Sequence, residues 1–310
     1  MAYPIAAGTR NIGSDLMRFI PVLYTGKMLV KYYDSSVLTH ITNTDYEGEI
    51  KKYGDTVYIR ATPDMTIRNY RKGQTLVNDQ PESTAVSLLI DQGKYWSFVS
   101  EDLDKVQTDL KGYINDWVKD GSEQMRITVD TTVLQAYYAD ASAHNIGNSA
   151  GYVSGNIPLG TTGTPVSLSK SNILDYILGA GVALDELNVP DTGRYMILPP
   201  RISGLIKASD LKDSSLTGDA KSVLRTSVLG TIDRFTVFNS NLLATYSDDS
   251  ATYCTFGHKD ATTFATQLVS SKVQDNPDGF GMLHRGLQVF GYKVVKPEAL
   301  GVLYAAVDVS

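Results

Sequence analysis

A single cysteine in 310 residues, Cys254, excludes an internal disulfide framework. The fold must then be held by its core, and the expected setting is a reducing cytoplasm with Cys254 as a small buried hydrophobe. Long apolar runs are missing as well. Polar residues interrupt every Leu-, Val- or Ile-containing run, so none approaches the roughly 20 apolar residues of a membrane helix. No membrane association is expected. The opening residues, Met1-Ala2-Tyr3-Pro4-Ile5, lack the basic start and apolar stretch of an export signal. Positive charge is not in excess either, since 28 Lys and Arg stand against 34 Asp and Glu for a net charge of −6. Proteins that grip nucleic acid specifically usually carry a basic face, so sequence-specific DNA binding is not expected.

The signatures of catalysis are equally sparse. None of the four histidines, His40, His144, His258 and His284, stands at a metal-ligand spacing. Cys254 and His258 form a Cys-x-x-x-His pair, for which strand packing is a better account than nucleophilic chemistry. No G-x-S-x-G elbow occurs. Gly26-Lys27-Met28 lacks the upstream glycine and the hydroxyl residue of a phosphate loop. Gly147, Gly151, Gly155, Gly160 and Gly163 depart from the dinucleotide spacing and read as turns. Asp275-Asn276-Pro277-Asp278-Gly279 has the wrong spacing for a calcium loop and also reads as a turn. No catalytic residue, metal or cofactor is assigned, and the chain is not expected to be an enzyme.

What is present is an ordinary globular composition, 42% hydrophobic and 20% charged, arranged in an unusual order. Residues 1 to about 45 read as an irregular arm broken by Pro4, Gly8, Gly13, Pro21 and Gly26, apolar enough to pack on something. Asp55-Thr56-Val57-Tyr58-Ile59-Arg60 alternates as a strand does. Residues 82–91 alternate again, with Val86, Leu88 and Ile90 on one face. Between them, residues 61–81 read as polar. A lone two-stranded ribbon is barely stable in water, so this one needs a surface to rest on.

A long helix is predicted next, with Ser100 as N-cap and Glu101, Asp102 and Asp104 at its positive end. Leu103, Val106, Leu110, Tyr113 and Trp117 form one apolar stripe, which blurs near Gly121. It resumes through Met125, Val129, Val133, Ala136 and Tyr137. Continuous to about Ala141, such a helix would be on the order of 60 Å long. Ser169 can cap a second helix carrying Ile173, Leu174, Ile177, Leu178 and Leu184. Tyr195-Met196-Ile197-Leu198 reads as a buried strand, and Pro199-Pro200 opens a short helix through Ile202, Leu205 and Ile206. Strands are predicted over 232–238, 253–256, 287–296 and 301–307.

This order resembles the α+β fold of tailed-bacteriophage major capsid proteins, which encapsulin shells share. Three stretches carry the resemblance. One is Gly54-Asp55-Thr56-Val57-Tyr58-Ile59, leading through the tip and Tyr95-Trp96-Ser97-Phe98 into the helix. Another is Arg194-Tyr195-Met196-Ile197-Leu198-Pro199-Pro200 with Gly230-Thr231-Ile232 and Val237-Phe238-Asn239-Ser240-Asn241-Leu242. The third is Gly291-Tyr292-Lys293-Val294-Val295-Lys296-Pro297-Glu298-Ala299-Leu300-Gly301.

The resemblance implies an N-terminal arm (1–46) and an extended two-stranded loop over a neighbouring subunit (47–99). It implies a peripheral domain with a spine helix (100–165, the helix at 101 to about 142), an axial domain (166–245), and a return to the peripheral domain (246–310). It further implies a structural protein of the virion capsid, assembled in the host cytoplasm as hexamers and pentamers of an icosahedral shell. Double-stranded DNA would be enclosed without sequence-specific binding, and portal, scaffolding and possibly cement proteins would be partners. An encapsulin-like compartment or an α+β hydrolase remain the alternatives. The candidate contact residues are Arg68, Arg71 and Lys72 at the loop tip, placed to meet acidic side chains of a neighbour or else solvated.

Overall fold

The computed structural model describes residues 36–45, 56–60, 62–63, 65–80, 85–102, 113–209, 230–246 and 251–308. In chain order the elements begin with α1 (Leu38–Ile41), β1 (Thr56–Arg60), β2 (Ala85–Leu89), β3 (Gln92–Glu101) and α2 (Tyr113–Leu134). They continue with β4 (Val166–Leu168), α3 (Ile173–Glu186), β5 (Arg194–Leu198), α4 (Pro200–Ala208), β6 (Thr231–Ile232) and β7 (Phe235–Asn239). The last four are β8 (Ala251–His258), β9 (Thr262–Asp275), β10 (Gly281–Val294) and β11 (Leu300–Val307).

Every residue of β5 is buried, which explains why it reads as a continuous apolar run rather than an alternating one. It lies in a mixed sheet of order β4-β11-β8-β5-β7-β6. Its apolar side chains share one core with Ile173, Ile177 and Leu184 of α3 and Ile202 and Ile206 of α4. Pro200 occupies the first turn of α4, where a missing N–H costs nothing. Strand 251–258 lies between strand 300–307 and β5, so this sheet is built from both the 166–245 and the 246–310 segments.

An arginine buried to zero side-chain exposure ties α3 to β5. Arg194 donates to Asp185 Oδ1 at 2.7 Å, Val189 O at 2.6 Å and Pro190 O at 2.9 Å. Arg234, in the β6–β7 turn, holds the other Asp185 oxygen at 2.6 Å and reaches Asp191 at 2.8 Å. Desolvation pushes the Asp185 carboxyl up, but the hydrogen bonds and charges of Arg234 and Arg194 outweigh it and hold the group below its usual range.

The second sheet has three strands in the order β3-β10-β9. Helix α2 crosses it over an aromatic cluster. Trp96 stacks on Phe98 at 5.7 Å, Phe98 stacks on His284 at 4.9 Å, and Trp117 meets Phe98 edge-on at 5.5 Å. Two glycines make room for this. A Cβ at Gly121 of α2 would stand 3.1 Å from the Trp96 ring, and one at Gly286 of β10 would overlap it. The blurred apolar stripe at Gly121 is therefore where the helix sits closest to an indole.

Several expectations are corrected. Helix begins at Asp102, as the acidic residues suggested, but Ser100 is not the residue that precedes it. That serine is buried in β3, and its hydroxyl lies 3.2 Å from His284 Nε2. Strands β3 and β9 were not anticipated. β3 was masked by the acidic cap signal after Ser100, and β9 by its Thr- and Ser-rich composition.

The long helix ends at Leu134 and not near Ala141, while residues 103–112 lie outside the described residues. The hydroxyls of Thr128, Thr131 and Thr132 each bond the carbonyl four residues back, and the chain then tightens into a 3-10 turn at Tyr137–Asp140. That turn points the Tyr137 hydroxyl at Thr255, 2.5 Å away. Residue 172 and not Ser169 is the N-cap position of α3, and Asn172 accepts from the Ser169 N–H at 2.8 Å. Residues 232–238 are not one strand, because Asp233 at φ 52° turns them into the β6–β7 hairpin. The arm, of which residues 1–35 lie outside the described residues, includes the short helix α1.

Two outcomes follow. Gly286→Val should expel the Trp96 indole, costing about 1–3 kcal/mol in denaturant unfolding and shifting tryptophan emission to the red. For Asp185, the lowered carboxyl means its ion pairs stabilise the fold fully above the unfolded value near pH 4. That contribution is lost as pH falls through the folded pKa. Asp185→Asn should melt lower than wild type at pH 7, and the gap should close in acid.

Candidate assembly surface

The ribbon is antiparallel, with Thr56 opposite Leu89 and Arg60 opposite Ala85. This register puts Val57, Ile59, Val86 and Leu88 on one face and Thr56, Tyr58, Ser87 and Leu89 on the other. The inner face is seated. Ile59, Leu88 and Ile90 form a small core with Ala265, against which Val57, Val289 and Val295 pack. The ribbon comes so close to β10 that a Cβ at Gly291 would overlap the Leu89 carbonyl oxygen. The outer face is not seated, and Tyr58 is 70% exposed.

Beyond the strands the described residues of the loop form no helix or strand, yet the loop is closed on itself. Arg68 grips Asp79 with both terminal nitrogens, each at 2.8 Å, and reaches Val77 O at 3.3 Å. That fork holds the Asp79 carboxyl below its usual range and raises the Arg68 guanidinium. The tip turns at residues 71–74, where Gln74 N donates to Arg71 O at 3.1 Å and Gly73 takes φ 85°.

The three candidate cations thus separate. Arg68 is engaged inside its own loop, whereas Arg71 and Lys72 are exposed at the turn. The far end is also less polar than expected. Met65, Ile67, Tyr70, Leu76 and Val77 are all at least 66% exposed, with Ile67 at 90%. These apolar side chains were overlooked because they follow neither a 2.0 nor a 3.6 period; they are scattered among Arg, Asn and Gln.

The glycine-rich stretch is built from left-handed turns, with Gly147, Gly151, Gly155, Gly160 and Gly163 all at positive φ. Val153 N and Ser154 N both donate to Glu186 Oε2, at 2.7 and 3.0 Å, which holds that carboxyl down. Residues 275–279 form the β9–β10 turn, where Asp278 N donates to Asn276 Oδ1 at 3.3 Å. Cys254 is buried in β8, and burial pushes its thiol up, away from nucleophilic use. His258 on the same strand lies 2.8 Å from Thr192 O and accepts from Asp260 N. Among the described residues no group of three or more His, Cys, Asp or Glu could hold a metal ion, and no helix is long and apolar enough to cross a membrane.

No protein-family model matches the chain, and no curated protein matches it. Solved structures do. A chain from Mycobacterium phage Che8 superposes with a TM-score of 0.74 at 25% identity, covering 92% of this chain and 96% of that one. A chain from the capsid structure of cyanophage P-SCSP1u gives 0.69 at 13% identity over 97% of each. One from the capsid of Ralstonia phage GP4 gives 0.61 at 14% identity over the whole of both. The fold is that of tailed-phage capsid proteins, α+β in class as the resemblance implied.

Leu88→Ala should cost about 2–4 kcal/mol at the seat of the ribbon. By hydrogen exchange, amides of β1 and β2 should lose protection while those of β5 and β8 keep theirs.

Proposed function

We propose that this chain, which has the tailed-phage major capsid fold, is the head-shell subunit of such a phage and works by assembly, without catalysis. The observation that carries the reading is the half-seated ribbon. Its inner face is anchored on β10, while its outer face and tip present Tyr58, Met65, Ile67, Tyr70, Leu76 and Val77, each at least 66% exposed and uncovered among the described residues. An exposed set of apolar side chains on a rigidly rooted excursion favours a partner surface, and in a closed symmetric shell the next copy supplies it.

In this reading the subunits form hexamers and pentamers that close an icosahedral virion shell. Residues 1–46 serve as the arm, 47–99 as the loop lying over a neighbour, 100–165 and 246–310 as the peripheral domain, and 166–245 as the axial domain, whose sheet β8 and β11 of the last segment complete. The enclosed double-stranded DNA meets a wall of subunits that each carry net charge −6, which confines it without adhesion or sequence preference. Portal, scaffolding and possibly cement proteins complete the head. The structural neighbours favour this over an encapsulin-like compartment or a hydrolase.

Magnitudes rank the contacts at the loop tip. Burying one large apolar side chain on a neighbour contributes about 1.5–3 kcal/mol. An exposed ion pair contributes about 0–1 kcal/mol. Ile67→Asp with Leu76→Asp should therefore abolish closed particles in electron micrographs. Arg71→Glu with Lys72→Glu should leave particles that melt at lower temperature and higher salt sensitivity. Normal particles from the aspartate pair would refute the loop-contact reading, and unchanged assembly and melting of the glutamate pair would reduce the cations to a solvated tip.

A further inference from the structure

The two larger sheets meet at a narrow joint. One connection, residues 259–261, leads from β8 to β9, and the other, residues 295–299, leads from β10 to β11. They run side by side, with Val295 N and Lys296 N both donating to Ala261 O at 2.8 and 3.2 Å. Just beyond, the β9–β10 register shifts between Val289 and Phe290. Phe264, Phe290 and Val294 at the base of the hairpin belong to the main core, but its outer part packs instead on β3 and α2.

One segment spans this joint. On the side of the six-stranded sheet, His40 stacks on Phe238 of β7 at 5.6 Å and 10°. On the other side, Asn43 pairs with the start of β9, its N–H donating to Thr262 O at 2.9 Å and its carbonyl accepting from Phe264 N at 3.0 Å. Between these ends Val37, Leu38 and Ile41 are buried in the main core.

The segment is pinned to the long helix by a single oxygen. Ser36 Oγ, Val37 N and Leu38 N all point at Asp130 Oδ2, at 2.6, 3.0 and 3.4 Å. Asp130 is 3% exposed, and its helical neighbours Val129, Val133 and Leu134 are buried apolar residues. An ionised carboxylate at such a place is destabilising unless hydrogen bonds compensate it. If the position only needed filling, an apolar residue would serve at lower cost. All three donors come from the strap, so these hydrogen bonds to the buried Asp130 oxygen exist only while the strap is in place.

We propose that residues 36–45 are a clamp across the joint, pinned by Asp130, which fixes the angle between the six-stranded sheet and the β9–β10 hairpin. The pin joins α2 to the clamp, His40 joins the clamp to one sheet and Asn43 to the other, so losing the pin leaves only apolar packing to hold the three in register. For a shell subunit that angle would set local curvature. This consequence rests on the function proposed above, whereas the clamp does not.

The test uses the full chain with Cys254→Ala, spin labels at Tyr152→Cys and Val273→Cys, and dilution with unlabelled chain to suppress distances between copies. Both label sites are exposed, and they lie on opposite sides of the joint. Pulsed electron resonance should give one narrow distance distribution. In Asp130→Ala it should widen or shift while the far-UV spectrum is retained, and in Asp130→Asn, which keeps an acceptor oxygen, it should stay narrow. Should Asp130→Ala fail to fold, Ser36→Ala removes the shortest contact without touching the core and should widen the distribution. An unchanged distribution in the folded variant, whichever of the two it is, overturns the clamp. Normal particle diameter alongside a widened distribution would leave the clamp standing and remove only its link to curvature.

Discussion

A two-stranded ribbon has two faces, and the described residues of this chain cover only one. The inner face of β1–β2 reaches dry packing because β10 carries a glycine where the Leu89 carbonyl crosses it, and because Ala265 and Val289 lie beneath. The outer face and the loop beyond it have no such support. Their apolar side chains are exposed at a density that a monomer would not be expected to retain without use. Seating one face while leaving the other open produces a part that is rigid at its root and incomplete at its surface. The functional reading depends on that asymmetry.

Rigidity at the root comes from close approach rather than from bulk. Trp96 lies between Gly286 and Gly121, and the α2 helix can sit on the three-stranded sheet only because neither glycine carries a side chain. Arg194 and Arg234 hold α3, β5 and the β6–β7 turn through one shared carboxylate, Asp185. Asp130 does the same for the strap and α2. Each of these ties links segments far apart in the chain, and each depends on one residue of fixed chemistry.

Much of the order of elements was legible from local signals. Val86, Leu88 and Ile90 alternate because one face of the ribbon is buried. The run of β5 does not alternate because both of its faces are. Pro200 marked the start of α4, and positive-φ glycines marked the stretch from 147 to 163 as turns. The errors arose where a local signal had two readings. Acidic residues after Ser100 do mark a helix start, since Asp102 is helical, but Ser100 itself is committed to β3 and bonds Met282 of the partner strand β10, 182 positions away. Long β9 carries few large apolar residues, because pairing with β10 and not burial defines it.

At the candidate surface, sequence reasoning treated Arg68, Arg71 and Lys72 as equivalent, whereas only Arg71 and Lys72 lie in the turn at 71–74. The Arg68–Asp79 fork became visible only once the loop had closed on itself, since eleven positions of chain separate the two residues. The sequence by itself determined those elements whose signal is local, such as β1, β2, β5, α3, α4 and the glycine turns, because propensity and periodicity act over a few residues. Tertiary structure alone decided which face of the ribbon stays open, which arginine is already engaged, and that a buried aspartate holds the arm. All three depend on desolvation and long-range pairing, which no local pattern records.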